Sequence, residues 1–579
     1  MNNIIKGFRT VQAAAAGQSF LANITSRFHV SSNKSLLFSR DDLKNPSSPS
    51  SATASSAATT AGAQLPPIKK LQQSPFSPLS EPHPRLAEFV QQAANNIVNN
   101  PTSTSTTTST TTSTSTTSQT QTTTQSSLNF NRADTTTLPN GIRVISQQTN
   151  ENACAVGLYI RCGTKYETPD NRGVFNLLEK MTFKGTKNES TADIVQKYET
   201  VSNNAMASSS KDIMQISVEV LRKDVEYIMR SFADQITCPL FQQEEFDEKK
   251  MDAMRSFDML LSSPDAFLPE ILHQTAYGDK DLGHTTFAKP EEYQRITTDT
   301  LRQAMQNYFI GKNIVVSATG IEHKHLVAYV EKYFSHIPYA APLQTQQQQQ
   351  QPLGNSDVPQ YIGGTNFIMA EPKSEQAYYL AFPFKGLRSL SESKELLAGF
   401  VLQSLLGGGR DYSTGGPGKG MQSRLNLNVV YRLQQVKVCS AFFNVYSNTS
   451  LFGVHVSTDE GYLIHALYLV LEQLLGLRRL ITDEEVERAK RQQKSMILMN
   501  LELRNVLCDD MARQLVSTGI WRSPEEICSG MDALTKDDIL RFLDNLLLTN
   551  PTVVGFIGDK DKALSSDDIK KVIRSGKFK

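Results

Sequence analysis

Asn307-Tyr308-Phe309-Ile310-Gly311-Lys312-Asn313-Ile314-Val315-Val316-Ser317-Ala318-Thr319-Gly320 decides how the chain divides, because a later stretch repeats its pattern. That stretch is Asn545-Leu546-Leu547-Leu548-Thr549-Asn550-Pro551-Thr552-Val553-Val554-Gly555-Phe556-Ile557-Gly558. Each reads as the end of an amphipathic helix, then a short β-branched strand that stops at glycine. Upstream of each lies an acidic helix opening. The first is Glu244-Glu245-Phe246-Asp247-Glu248-Lys249-Lys250; the second, 240 residues later, is Glu484-Glu485-Val486-Glu487-Arg488-Ala489-Lys490. Two blocks, 134–342 and 357–579, are therefore expected to fold as homologous domains, each long enough to bury its own core.

Within the blocks strands and helices mix. Ala155-Val156-Gly157-Leu158-Tyr159-Ile160 and Met214-Gln215-Ile216-Ser217-Val218-Glu219-Val220 read as strands, as do Tyr378-Tyr379-Leu380-Ala381-Phe382 and Leu451-Phe452-Gly453-Val454-His455-Val456. Helices are expected over 223–235 and 462–477. A longer one opens at the capping box Thr482-Asp483-Glu484-Glu485. The class is α+β, with sheets layered against helices. No run of about twenty apolar residues exists, so no membrane-spanning helix is expected. A net charge of +1 argues against a nucleic-acid binder. Six cysteines, none in a CxxC pair, read as reduced, buried thiols.

Outside the blocks the composition changes. Residues 1–40 carry Lys6, Arg9, Arg27, Lys34 and Arg40, many Ser and Ala, and no Asp or Glu. That is the pattern of a mitochondrial transit peptide. Residues 41–130 form a low-complexity spacer, almost wholly Thr, Ser and Gln from Thr102 to Ser127. It has too little apolar surface to offset ordering entropy, so disorder is expected. A Gln-rich linker, 343–356, separates the two blocks.

Two stretches carry functional signals. The first is Gly407-Gly408-Gly409-Arg410-Asp411-Tyr412-Ser413-Thr414-Gly415-Gly416-Pro417-Gly418-Lys419-Gly420-Met421, in which seven of fifteen residues are glycine. Glycine loses extra backbone entropy on ordering, so a mobile loop is expected throughout. It follows an apolar helical pattern over 394–406 and precedes Ser423-Arg424-Leu425. A phosphate-binding loop is excluded, because Lys419 is followed by Gly420 rather than Ser or Thr and the stretch follows a helix. A plain connector and a ligand-contacting loop remain open.

The second stretch is Gly173-Val174-Phe175-Asn176-Leu177-Leu178-Glu179-Lys180-Met181-Thr182-Phe183-Lys184-Gly185-Thr186. On a helix, positions 176, 179 and 180 share a face. An inverzincin places His, Glu and His there, the imidazoles binding zinc and the Glu polarising water. This chain has Asn176 and Lys180 at the ligand positions. An amide is a poor zinc ligand, and an ammonium repels a divalent cation. A third, carboxylate ligand would fall near Ser256-Phe257, where neither residue serves; Asp258 is close but cannot replace two histidines. No metal site is expected, and no catalytic residue.

On these residues the chain resembles the pitrilysin-type metalloprotease family, and within it the non-catalytic α-type subunits of mitochondrial processing peptidases. The resemblance runs over 134–579. It is carried by the segment from Asn171-Arg172-Gly173 to Lys184-Gly185-Thr186, by Gly415 through Met421, and by Ser423-Arg424-Leu425. Arg410 and Asp411 depart from it, standing where the family has small residues. The resemblance implies a division of labour. A β-type partner subunit, in a heterodimer, holds the zinc and cuts. The α-type subunit captures basic, amphipathic presequences of imported precursors in the mitochondrial matrix. The residues expected to contact substrate are Gly407, Gly408, Gly409, Asp411, Gly415, Gly416, Gly418 and Gly420. The alternative is a structural core protein of the respiratory ubiquinol–cytochrome c reductase, on the matrix side of the inner membrane.

Other groups read more simply. Glu244, Glu245, Asp247 and Glu248, like Asp483, Glu484, Glu485 and Glu487, could attract presequence arginines, but acids in a first helical turn also complement the helix dipole. Glu322-His323-Lys324-His325 is expected to be a solvated helix start. His273 and His284 have no partner legible in the sequence.

Overall fold

Each block builds a mixed six-stranded sheet, and the computed structural model describes residues 132–341, 359–370, 374–385, 393–410, 420–559 and 563–575. The expected transit peptide, spacer and Gln-rich linker lie outside the described residues. The first block runs β1 (Asp134–Thr137), β2 (Arg143–Gln147), β3 (Ala153–Ile160), α1 (Val174–Met181), α2 (Thr191–Val201), β4 (Ser202–Ser209), β5 (Met214–Leu221), α3 (Val225–Thr237), α4 (Gln243–Leu261), α5 (Pro264–Tyr277), α6 (Pro290–Arg295), α7 (Thr298–Tyr308), β6 (Ile314–Thr319) and α8 (His323–Phe334). The second runs β7 (Gly364–Met369), β8 (Gln376–Lys385), α9 (Ser393–Leu406), β9 (Gly408–Arg410), a π-helical turn (Asn426–Val430), β10 (Val436–Val445), β11 (Thr449–Thr458), α10 (Leu463–Leu480), α11 (Asp483–Leu501), α12 (Arg504–Thr518), α13 (Pro524–Asp532), α14 (Lys536–Leu547), β12 (Thr552–Ile557) and α15 (Ser566–Ser575).

The strand orders are β1-β2-β6-β3-β5-β4 and β7-β12-β8-β11-β10-β9. Five strands correspond one for one. In each sheet a parallel pair comes first, β2 with β6 or β7 with β12, and antiparallel pairs follow. The two repeated stretches thus become α7–β6 and α14–β12. The sixth strand breaks the correspondence. In the first sheet β1 adds outside β2; in the second β9 adds outside β10.

Each sheet is covered on one face by a helix from the other block. Helix α5 packs on β12, β8 and β7, and α12 packs on β6 and β3. Ser317 Oγ donates to the Cys508 carbonyl at 2.8 Å, and Arg143 Nη1 to the Leu515 carbonyl at 2.6 Å. This exchange buries strands such as β6 on both faces, which is why they read as nearly continuous apolar runs.

Two expectations change, and one strand has no signal in the sequence. Gly408–Arg410 is a strand, not loop, because pairing at a sheet edge uses only backbone, and a Cβ on Gly408 or Gly409 would collide with the Cys439 carbonyl or the Asn426 side chain. Strand β4 has a polar sequence without strand propensity, and pairing with β5 imposes its conformation. The helix start at Glu322 is only partly solvated: Thr136 Oγ1 and Ser146 Oγ each lie 2.8 Å from a ring nitrogen of His323, tying α8 to β1 and β2. All six cysteines are free, and Cys238 and Cys528 are only half-buried.

Candidate functional site

Helix α1 begins at Gly173, whose φ of 86° and lack of side chain are both required. A Cβ there would stand 2.6 Å from the Tyr293 ring. The Glu167 carboxylate accepts from the Gly173 and Phe175 N–H groups at 2.9 and 3.2 Å, satisfying the helix start. Burial nevertheless raises this carboxyl to about 8.

The helix brings Asn176, Glu179 and Lys180 together as the spacing expects, and α4 brings Ser256 to them. Tyr293 Oη donates to Asn176 Oδ1 at 2.8 Å in a fully buried contact. Glu179 Oε2 accepts from the Ser209 N–H at 2.8 Å and from Ser209 Oγ at 2.6 Å, at the end of β4. Lys180 Nζ reaches Ser256 Oγ at 3.4 Å, across the 76 residues anticipated for a third ligand. Asp258 is exposed. Burial raises the Glu179 carboxyl and lowers the Lys180 ammonium, in each case against the pull of the other's charge.

This donor set does not fit zinc. The Asn176 oxygen is held by Tyr293, a cation stands at the second position, and α4 offers a hydroxyl where a carboxylate is needed. Among the described residues no group of three or more His, Cys, Asp or Glu side chains could hold a metal ion.

Of the eight residues expected at the glycine-rich site, Gly407, Gly408, Gly409 and Gly420 are described; Asp411, Gly415, Gly416 and Gly418 are not. Gly407 and Gly408 have φ of 58° and 131°. A Cβ would lie 2.3 Å from Ser423 Cβ at Gly407, and 2.1 Å from the Cys439 carbonyl at Gly408. Gly407 N–H donates to the Gln403 carbonyl at 2.7 Å, and its own carbonyl accepts from Ala441 N–H at 2.8 Å. These glycines are fixed by packing against β10. Gly420, φ 72°, re-enters the described chain, with its carbonyl accepting from Ser423 N–H at 2.9 Å. Strand β9 is the last of its sheet among the described residues.

The acidic candidates separate into bound and exposed. Burial would raise Glu485, but the Arg424 guanidinium at 2.7 Å and the Thr482 N–H outweigh it and hold the carboxyl low. Glu245 accepts from Thr191 Oγ1 at 2.7 Å, and Glu248 and Glu487 pair with Lys249 and Lys490. Asp247 accepts from Gln243. Glu244, Asp483 and Glu484 are exposed.

The contacts that seat α5 and its flanking loop have no signature in the sequence, and one of them, His273 to Tyr446, joins the two blocks. Lys211 Nζ donates to Glu270 Oε2 at 3.0 Å and to the His284 carbonyl at 2.7 Å. His273 Nδ1 donates to the Pro269 carbonyl at 2.7 Å, so its Nε2 accepts from Tyr446 Oη at 2.6 Å. His284 Nδ1 likewise donates to the Thr164 carbonyl at 2.8 Å. Except for Pro269, these partners are far apart in sequence and no local pattern announces them.

Comparison with known proteins agrees with this geometry. Residues 143–290 match the family described as "Insulinase (Peptidase family M16)", and residues 295–493 match "Peptidase M16 inactive domain". "Mitochondrial-processing peptidase subunit alpha-1" of Dictyostelium discoideum is 40% identical over 568 residues, covering 88% of this chain and 83% of the relative. The potato (Solanum tuberosum) and human (Homo sapiens) proteins named "Mitochondrial-processing peptidase subunit alpha" are 31% and 29% identical. They cover 77% and 76% of this chain, and 85% and 84% of their own lengths. A protease from Helicobacter pylori shares the fold at a TM-score of 0.64 and 17% identity, covering 73% of this chain and 99% of that one. The names of the relatives give the family a mitochondrial location. The chain belongs to the family of mitochondrial-processing peptidase α subunits, within peptidase family M16.

Proposed function

We propose that this chain is the non-catalytic, substrate-recognising half of a heterodimeric processing peptidase. A β-type partner supplies the zinc and cuts; this chain captures the presequences of imported precursors in the mitochondrial matrix. The observation that carries the reading is the filling of the α1 site. Tyr293 occupies the Asn176 amide, and the Lys180 cation stands beside Ser256. Capture is assigned to the glycine-rich stretch. Presequences share basic, amphipathic character rather than sequence, so fixed side-chain pockets alone cannot serve them. An edge strand nearly free of side chains can offer N–H and C=O groups to any extended chain. Asp411, Gly415, Gly416 and Gly418 complete this contact, with Asp411 the partner for an arginine. Residues 1–40 direct import and are removed in part. The family relatives give the respiratory core-protein alternative no better support.

The test is equilibrium binding of a fluorescent presequence peptide to the assembled heterodimer. Residues 411–419 are replaced by a neutral linker of equal length, sparing the anchored glycines 407–410. Affinity should fall while the heterodimer still assembles. Unchanged affinity would reduce the stretch to a connector.

A further inference from the structure

The turn that follows the glycine-rich stretch has the wrong hydrogen-bond spacing for an α-helix. Leu427 N–H donates to the Ser423 carbonyl four residues back, but Tyr431 N–H donates to the Asn426 carbonyl five back, at 3.0 Å. Asn426–Val430 is π-helical. Such turns are rare, and they recur at functional sites as single residues accommodated within an α-helix.

Here the widened turn clamps both ends of the glycine-rich stretch. Asn426, buried at its start, donates from Nδ2 to the Met421 carbonyl at 3.0 Å. Its Oδ1 stands 2.7 Å from where a Cβ on Gly409 would be, so it rests directly on β9. Ser423, just ahead, accepts the Gly408 N–H on its Oγ at 3.1 Å and packs against Gly407. The turn is itself anchored. Arg424 Nη2 donates to Glu485 and to the Leu480 carbonyl, both at 2.7 Å, and Asn428 Nδ2 to Gln473 Oε1 at 2.9 Å. On its outer side Leu427 and Tyr431 are 41% and 54% exposed, with Tyr431 Oη 3.6 Å from Met421 Sδ. A connector needs none of this. A segment that must meet a ligand in one place gains affinity when its ends are fixed beforehand, since less freedom is lost on binding.

We propose that the π-turn Asn426–Val430 is the positioning element for presequence capture, Asn426 and Ser423 fixing the two stems, 407–410 and 420–423. The proposal rests on the reading that the glycine-rich stretch captures presequences. The same peptide-binding assay on the assembled heterodimer tests it with two variants. Asn426→Asp keeps the shape but sets a carboxylate against the Met421 carbonyl. Deletion of Leu427 removes an exposed residue within the turn and returns it to α spacing. Each should weaken peptide binding about fivefold or more, the equivalent of one lost hydrogen bond. Assembly should persist. The fluorescence of Trp521, the single tryptophan of the chain, should report no lower unfolding midpoint for the deletion variant. Tyr378→Phe, which removes only the buried bond from Tyr378 Oη to the Leu564 carbonyl, away from the turn, should lower the midpoint and leave affinity unchanged. If Tyr378→Phe weakens binding as much as Asn426→Asp, lost stability explains the effect and the proposal fails. Unchanged affinity in both test variants, with weakening on replacement of 411–419, overturns the positioning role and leaves the capture reading intact. Unchanged affinity in all three overturns both.

Discussion

Lys180 is the residue on which the chemistry turns. A cation held at 3.4 Å from Ser256, beside a carboxyl that Ser209 already satisfies, leaves α1 no means of holding a metal. Glu179 closes the end of β4 by accepting from Ser209. Glu179→Ala leaves the buried Ser209 N–H and hydroxyl without their acceptor, and should cost about 1–3 kcal/mol of stability. Precursor cleavage by the heterodimer, measured below the unfolding range, should not change. A collapse of cleavage with stability intact would return Glu179 to catalysis. This site was legible because its spacing is local; i, i+3 and i+4 need only a helix. Its filling was not legible. Tyr293 lies 117 residues from Asn176, and Ser209 lies 30 from Glu179.

Elements were legible where side-chain pattern decides and illegible where backbone pairing decides. Strands β3, β5, β8 and β11 announce themselves by apolar and β-branched runs, and α11 by its capping box. Strands β4 and β9 do not, because a neighbour imposes their conformation. Composition marks Gly408 as loop; the structure makes it a strand residue with φ 131° and no room for a Cβ. Gly408→Ala should thus act on stability before it acts on binding. The strained φ and the collision with the Cys439 carbonyl together should cost on the order of 2 kcal/mol or more. A chemical-denaturation midpoint equal to that of the parent chain would show that β9 is not anchored as described.

At the scale of the whole molecule, the exchange of α5 and α12 makes the two blocks one folding unit. Neither sheet keeps both faces covered without the other block. Residues 132–358 and 359–579 made separately should lack cooperative unfolding and recover it when mixed. Two independent cooperative transitions in the separate halves would contradict this. The junction also carries a pH dependence. Burial holds His273 at about 4, below its ordinary value near 6.5. Between these values the unfolded chain binds a proton that the folded chain refuses, so the His273 contribution is complete above pH 6.5 and is lost as pH falls towards 4. His273→Gln should flatten that part of the profile of unfolding midpoint against pH; an unaltered slope would place the titration elsewhere. The duplication was visible in two matching stretches. The exchange was not, because α5 and α12 read as ordinary helices and only the fold shows which sheet each one covers.

Capture and cutting are separate tasks in this account, and steady-state kinetics separates them. Cleavage of a presequence-bearing precursor by the reconstituted heterodimer should be followed over a range of precursor concentrations, with and without replacement of residues 411–419. Loss of binding common to ground and transition states raises KM and leaves kcat unchanged. The account predicts that result, with KM raised about tenfold. A fall in kcat at unchanged KM would mean that this chain takes part in bond cleavage, and would contradict it.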